Sequence, residues 1–408
     1  MLELKALCNI FSVRIMQDKL ETAVILAGGI GERLFPVTTH IPKALAPVRG
    51  EPILAKLIRQ MEDIGMSRIF ILTGYKSNLI SDFVSGLKTN VQVVCMPTEV
   101  NLSPAERLLS ARNLIGDFFF LLYCDNFVDE EVALSRNIKS ESPISLLMQR
   151  RVIGNTMTNA AGDLIYSASS RSEEMPFVEL GYIAIRTKQF FEALAQIKDL
   201  PSTIEFLSEK ALIKGFEIEK DYDSVSSLTA FNKANKIRKK ILIDRDGVLN
   251  LKPPHRTYLS AWHQFTIIPD NWIALSILAE NGFDFIIATN QPGIALNSVE
   301  QNFLDALHTF ITMEFLKKGV SIYSIYCCPH HWEQHCECRK PKPGMLNAAI
   351  KDFDLKSEQT IFIGDETKDA EAAFGAGIHS LTISDSHYPT LMSALSRIEE
   401  TLNVTIIR

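Results

Sequence analysis

The stretch Ile241-Leu242-Ile243-Asp244-Arg245-Asp246-Gly247-Val248-Leu249-Asn250 decides how this chain folds. An apolar run that stops at two aspartates one residue apart, followed by glycine, reads as a buried parallel strand. Its carboxyl end delivers both acids to a crevice, the place where open α/β sheets bind their ligands. Two carboxylates this close repel each other unless a divalent cation lies between them, so the pair predicts Mg²⁺. Alone, an Asp-x-Asp at a strand end is more often a turn cap; three later segments tip the balance.

The first, Phe285-Ile286-Ile287-Ala288-Thr289-Asn290-Gln291, is a second apolar strand ending in a hydroxyl and two amides suited to phosphoryl oxygens. The second, Arg339-Lys340-Pro341-Lys342-Pro343-Gly344, supplies cations, and the third, Ile361-Phe362-Ile363-Gly364-Asp365-Glu366-Thr367-Lys368-Asp369, is another strand that delivers acids. In this order the four segments resemble the motifs of the haloacid dehalogenase (HAD) phosphotransferase superfamily, from about residue 239 to beyond 377. The resemblance implies that Asp244 is a nucleophile that becomes an aspartyl-phosphate, and that Asp246 protonates the leaving oxygen and then activates water. It puts Asp365 with Asp244 and the Asp246 carbonyl on Mg²⁺, with Asp369 supporting that shell. Thr289 and Asn290 would bind the phosphoryl group and Arg339 and Lys340 would balance its charge, Lys342 being the competing choice to Lys340.

Bulk composition sets the frame. The chain has 408 residues, 46% of them hydrophobic, enough for about two to three ordinary domains. Its 48 acids against 42 Lys plus Arg give a net charge of −6 with no long run of either sign, which argues against nucleic acid or an anionic membrane as partner. Lys5, Arg14, Asp18 and Lys19 break up any secretory core in the opening residues, and no stretch is long and apolar enough to span a bilayer. Of seven cysteines, four lie between Cys327 and Cys338 while Cys8, Cys95 and Cys124 are scattered, so a reducing cytoplasm is expected rather than a disulfide framework. Residues 1–21 read as an N-terminal extension, either a short appended helix or a start placed upstream of Met16. Oligomeric state is left open.

The N-terminal part opens with Thr22-Ala23-Val24-Ile25-Leu26-Ala27-Gly28-Gly29-Ile30-Gly31-Glu32-Arg33-Leu34, a buried strand running into a glycine-rich turn. Such a turn lets backbone amides approach phosphates, and a helix N-terminus after it would add a favourable dipole. Gly-Gly-x-Gly alone is weak, but Phe35-Pro36 and Pro42-Lys43-Ala44-Leu45-Ala46-Pro47-Val48 follow. The whole run is similar to the signature of sugar-1-phosphate nucleotidylyltransferases. That likeness implies nucleotide binding by Ala27, Gly28, Gly29 and Gly31, with Arg33 and Lys43 holding the triphosphate while a sugar phosphate attacks its α-phosphorus. It also implies a Mg²⁺-binding aspartate after the apolar run 117–124, namely Asp125, and a second late in the domain, Asp223 or Asp221. Either of the latter two could equally be an N-cap for the helix that follows.

Alternating segments, helix-like at 53–64 and 77–87 and strand-like at 68–73 and 91–96, predict a doubly wound, Rossmann-like layer sandwich. The fold class expected is therefore α/β with two such domains: a nucleotidylyltransferase fold over residues 22–235, then a HAD-type phosphatase fold over 236–408, joined at the polar stretch 232–240. Glu99-Val100-Asn101-Leu102-Ser103-Pro104-Ala105-Glu106-Arg107 stands where many such transferases have a Gly-Thr-rich base contact. Ser169-Ser170-Arg171-Ser172-Glu173 stands where a Glu-Lys-Pro sugar-phosphate clamp is usual.

Within the phosphatase part, Cys327-Cys328-Pro329-His330-His331 and Cys336-Glu337-Cys338 supply paired soft ligands. Cys328, His330, Cys336 and Cys338 would hold one structural Zn²⁺ and aim the cations that follow. A zinc loop before Arg-Lys-Pro, with no interval long enough for a large cap, resembles the branch containing D-glycero-D-manno-heptose 1,7-bisphosphate and histidinol phosphatases. Leu296, where the heptose enzymes often have arginine, and a short zinc loop keep histidinol phosphate as the alternative. The fusion favours the sugar: removing the distal phosphate of a heptose bisphosphate leaves a sugar 1-phosphate, the compound a nucleotidylyltransferase consumes. The chain is thus expected to make a nucleotide-activated heptose, with GTP favoured. Competing readings join the phosphatase to a transferase for another sugar, or to a non-catalytic scaffold that binds nucleotide-sugars.

Overall fold

The computed structural model describes residues 21–255, 257–383 and 386–408. The expected N-terminal extension, Glu21 apart, lies outside them. The chain forms two compact bodies. The first comprises the described residues up to Ile30, with Pro42–Ala44 and Ile53–Ser224; the second comprises Gly31–Ile41, Leu45–Pro52 and Val225–Arg408.

The first body is built on a nine-stranded sheet. Strands β1 (Thr22–Ala27), β2 (Arg68–Thr73), β3 (Gln92–Pro97) and β4 (Phe119–Tyr123) are parallel in the order β3-β2-β1-β4. Near-continuous apolar runs form β1, β2 and β4 because both faces are covered, while the edge strand β3 is only partly buried. Helix α1 (Ile53–Asp63) buries Ile53, Leu54, Leu57, Ile58 and Met61, the spacing of one helix face. Helix α2 spans Ser77–Ser85, and α3 (Pro104–Ile115) starts at a capping box in which Ser103 and Glu106 satisfy each other's backbone amides.

Beyond β4 the sheet turns mixed, with β5 (Ile144–Arg150), β6 (Thr156–Thr158), β7 (Leu164–Tyr166), β8 (Phe177–Ile185) and β9 (Ile213–Glu217). Strand β8 runs antiparallel to β4 and β5 and is bulged between Glu179 and Ile183. Gly181 sits in that bulge at φ 75°, where a Cβ would come within 2.5 Å of the Tyr123 ring.

The second body holds a five-stranded, all-parallel sheet: β10 (Lys239–Ile243), β11 (Phe283–Asn290), β12 (Ile322–Cys328), β13 (Ile361–Gly364) and β14 (His379–Thr382), ordered β12-β11-β10-β13-β14. Single helices make the crossovers: α4 (Pro269–Glu280), α5 (Gln301–Lys317), α6 (Gly344–Asp352) and α7 (Thr367–Gly375). Among the described residues no cap domain interrupts them, as expected. Trp272 of α4 and Phe315 of α5 stack with centroids 4.2 Å apart in its core.

The polar stretch 232–240 is packed structure within this body. Asn235 is wholly buried; its amide donates to Pro47 O (3.0 Å) and Phe231 O (3.1 Å) and accepts from Arg49 N (2.7 Å). Arg238 pairs with the buried Asp284 at 2.8 Å. Leu34, Val37, Ile41 and Val48 of the two early segments are buried as well.

Candidate functional site

Strand β10 has β11 on one side and β13 on the other, so its carboxyl end is a topological switch point. Asp244 leaves the strand there, its N–H donating to Ile363 O at 2.8 Å. Gly247 turns the chain at φ 84°; a Cβ on it would lie 2.4 Å from the Asp365 carboxyl, so the turn accepts no side chain. Asp244, Asp365 and Asp369 each place a carboxylate oxygen within 4.8 Å of the others, a donor set that fits a hard divalent cation. Lys252 supplies positive charge to Asp365 from the rim at 2.9 Å.

The two candidate lysines separate sharply. Lys340 is buried, with its Nζ 2.8 Å from Asp244 and 2.7 Å from Asp369. Lys342 stays at the surface with Glu337. Burial opposes the Lys340 charge, but Asp244 and Asp369 outweigh it and raise its pKa, so it is a permanent cation beside Asp244. Asp244 is pushed up to about 6, chiefly by burial, with Asp369 adding to the rise and Lys340 opposing it. The second oxygen of Asp369 accepts from the N–H groups of Asp365 (3.2 Å) and Glu366 (3.1 Å), fixing the end of β13.

Asp246 is gripped by residues that motif reading did not assign. Arg245 Nη2 donates to both of its oxygens (2.9 and 2.8 Å), and Asn250 and Gln291 donate at 2.8 Å each. Burial alone would raise its pKa, yet these partners, Arg245 foremost, hold it below the usual carboxylate range. Gln291 also donates to the Thr289 hydroxyl at 2.9 Å, which ties the end of β11 to the acid.

Two residues expected on phosphate are engaged elsewhere. Asn290 exchanges hydrogen bonds with the Lys340 backbone, donating at 3.0 Å and accepting at 3.1 Å, so its amide locks the lysine in place. Arg339 donates to His330 O at 3.4 Å and braces the cysteine loop. Both face partners brought in by the loop's folding, which residue type alone does not reveal.

In that loop Cys328, His330, Cys336 and Cys338 converge, with Cys328 Sγ 3.7 Å from His330 Nδ1 and 3.6 Å from Cys336 Sγ, and Cys338 Sγ 3.2 Å from His330 Nδ1 and 3.4 Å from Cys336 Sγ. Zn–S bonds of about 2.3 Å put tetrahedral sulfurs about 3.8 Å apart, so the cluster is close to the size zinc requires. Cys327 is excluded from it, its thiol pushed up to about 12 by burial.

The first body has its own switch point at the ends of β1 and β4. Ala27 and Gly28 are buried there and Gly29 is exposed. No α-helix follows the glycine turn. Residues Glu32–Leu34, Val37–Thr39 and Lys43–Leu45 form single 3₁₀ turns, and the next α-helix after them begins at Ile53. Pro36 and Pro42, which lack an N–H, explain why the expected helix dipole is absent. Gly31, at φ 77°, and the exposed Arg33 are grouped with the second body.

Lys43 Nζ donates to Asp125 Oδ2 at 2.6 Å, while Asp125 Oδ1 is buried with no hydrogen-bond partner, an orphan acceptor of the kind a metal would satisfy. Asp223 lies buried in a short ladder opposite Phe127, two residues from Asp125. Asp221 is 62% exposed and faces Arg151 at 3.5 Å, so the geometry favours Asp223. Arg107, from the segment that stands where a base contact was expected, is buried beneath the glycine turn. It donates to Gly28 O (3.3 Å), Thr73 O (3.1 Å) and Val100 O (2.8 Å), and a Cβ on Gly28 would lie 2.3 Å from its guanidinium. Arg171 is exposed. Glu179, at the β8 bulge, is pushed up to about 7 by burial, with Asp125 adding to the rise and Gly181 N–H and Arg171 opposing it.

Comparison with known proteins finds matches in both parts of the chain. A family profile described as Nucleotidyl transferase matches residues 22–147, and a HAD-hydrolase-like profile matches residues 337–395. Over 159 residues the chain is 34% identical to the D-glycero-beta-D-manno-heptose-1,7-bisphosphate 7-phosphatase of Pasteurella multocida, which covers 38% of this chain and 85% of that one. It is 35% identical over 145 residues to the D-glycero-alpha-D-manno-heptose-1,7-bisphosphate 7-phosphatase of Campylobacter jejuni, with 36% and 81% covered. Among solved structures, a UDP-glucose pyrophosphorylase complexed with UDP-glucose aligns with 53% of this chain and 97% of that one, at 15% identity and a TM-score of 0.45.

Proposed function

Because the chain belongs to the heptose-1,7-bisphosphate 7-phosphatase family and carries a nucleotidyl transferase domain ahead of that part, we propose that one polypeptide runs two consecutive steps of nucleotide-heptose synthesis. It is a phosphatase and nucleotidyltransferase. Residues 236–408 remove the distal phosphate of D-glycero-D-manno-heptose 1,7-bisphosphate, and residues 22–235 transfer a nucleotidyl group, GTP being the favoured donor, to the heptose 1-phosphate that results. The observation that carries the first step is the buried Asp244–Lys340–Asp369 array beside an oriented Asp246.

In that step Asp246 takes up a proton from solvent as the anionic ester binds beside it; Asp244 then attacks the phosphorus, the bond to the sugar oxygen breaks, and Asp246 hands that oxygen the proton. Asp246 then takes a proton from the water that opens the aspartyl-phosphate. Lys340 balances charge on the transferred group and Thr289 contacts it. Mg²⁺ held by Asp244, Asp365 and the Asp246 carbonyl would supply further charge neutralisation. Cys328, His330, Cys336 and Cys338 would hold a structural Zn²⁺ that fixes the approach to Lys340.

In the second step the sugar-phosphate oxygen attacks the α-phosphorus of the triphosphate and pyrophosphate leaves. Lys43 and Arg33 balance the charge, and Asp125 with Asp223 would hold Mg²⁺. The substrates are small anions. Among the described residues no helix is long and apolar enough to cross a membrane. Cys95, Cys124 and Cys327 are unbridged, and a reducing cytoplasm is the compartment that suits such thiols.

Phosphate release is measured from both anomers of the bisphosphate and from histidinol phosphate, and pyrophosphate release from GTP, ATP, CTP and UTP with the product. Turnover of one heptose anomer with GTP is the expected result. Preference for histidinol phosphate would replace the sugar reading, and absence of pyrophosphate release with every donor would make the N-terminal domain a scaffold.

A further inference from the structure

We propose that His308, midway along α5, is a positioning residue of the phosphatase that holds Asp246 through Arg245, with His40 as its backing. The inference rests on the phosphatase reading above and names a residue that no motif of that reading contains.

Arg245 is completely buried, and a buried guanidinium must find acceptors for its N–H groups. One side of its fork goes to Asp246: Nη2 donates to both carboxylate oxygens and Nε to Oδ1 at 3.3 Å. The other goes to His308, whose Nε2 lies 3.2 Å from Arg245 Nη1. Arginine has no lone pair to offer, so Nε2 is the acceptor and the ring proton sits on Nδ1. Burial first, then the nearby Arg245 and His40, hold His308 well below the ordinary histidine range, so the ring is neutral and able to accept.

The far side of the ring is also occupied. His40 meets it edge-on, with centroids 5.4 Å apart and planes at 84°. His40 belongs to Gly31–Ile41, which packs in the same compact body, and is itself buried. The row His40, His308, Arg245, Asp246 therefore runs from an early segment of the chain to the acid–base carboxylate. An apolar side chain at 308 would fill the same space but leave a charged N–H buried without a partner. Arg245 would then turn to seek another acceptor, and Asp246 would lose its strongest orienting contact.

The experiment uses the full-length protein and two esters. An alkyl phosphate, the heptose bisphosphate or another sugar phosphate it turns over, needs a proton on its leaving oxygen. p-Nitrophenyl phosphate does not, because p-nitrophenolate leaves unaided. Since kcat/KM covers the steps up to departure of that group, His308→Leu should lower it about tenfold or more for the alkyl ester but less than about threefold for the aryl ester. His308→Gln, whose Oε1 can still accept from Nη1, should stay within about threefold of wild type on both. Should the leucine variant not fold, His308→Asn takes its place, its shorter amide being out of reach of Nη1. Equal losses on the two esters, no loss on either, or a glutamine variant as impaired as the leucine one would overturn the assignment. A wild-type chain that releases phosphate from neither ester would instead overturn the phosphatase reading beneath it.

Discussion

The crevice at the end of β10 and the one at the end of β1 occupy equivalent places in their sheets, yet they manage charge in opposite ways. At β10 the anions are already matched by the protein's own cations: Lys340 lies between Asp244 and Asp369, and Arg245 lies on Asp246. At β1 there is one such pair, Lys43 with Asp125, beside a carboxylate oxygen that has no partner. A hydrolase that must hold its nucleophile still through two half-reactions gains from a prebuilt array. A transferase whose substrate brings three phosphates can leave acceptors and cations waiting for it.

The contrast can be broken by experiment. Asp244→Asn removes the proposed nucleophile and should reduce phosphate release by about four orders of magnitude or more while pyrophosphate release continues. Retained phosphate release in that variant would move the nucleophile elsewhere. Lys43→Ala should lower pyrophosphate release about a hundredfold or more with phosphate release unchanged. Asp223→Ala should fall alongside it, whereas Asp221→Ala should lose no more than about threefold, and the reverse order would exchange the two aspartates.

Smaller effects sharpen the picture. Metal analysis should find one Zn²⁺ per chain, lost in Cys336→Ser together with about 10- to 100-fold of phosphatase activity, because Lys340 follows Cys338 by two residues. A zinc-free protein of full activity would remove the metal from that loop. Last comes Glu179, whose folded value of about 7 lies above the ordinary 4.5. The native state therefore binds its proton more tightly than the unfolded chain does. That contribution to stability is whole below pH 4.5 and is lost as pH rises toward about 7. Glu179→Gln should flatten the fall of denaturant midpoint across this window, and parallel curves for the two proteins would contradict the burial of that carboxyl.

What could be read from sequence was what a short run of residues dictates by itself. Asp244, Gly247 and Asp365 are legible because an apolar strand must end where its acids begin. The Cys328–Cys338 loop is legible because four soft ligands within eleven residues have few other uses. What could not be read depends on partners distant in the chain. Arg245 was the unassigned middle of Asp-x-Asp, and only the fold shows it clamping Asp246. Arg107 belonged to a segment marked by departure from a family pattern, and nothing local indicates that its guanidinium lies under Gly28. Strand β8 is largely apolar, as the parallel strands β1, β2 and β4 are, so its antiparallel direction is not written in its composition.

The clasp around Asn235 has a consequence for how the protein is made. Arg49 and Asn235, joined by a hydrogen bond, are 186 residues apart. Ribosomes add about 5–20 residues per second, so the segment around Arg49 leaves the exit tunnel on the order of 10–40 s before its partner does. Throughout that interval Leu34, Val37, Ile41 and Val48, all buried in the finished protein, have no cover from the body they join. Nascent chains of this protein should therefore be clients of ribosome-associated chaperones from early in their synthesis, and release from them should coincide with the emergence of residues beyond 235.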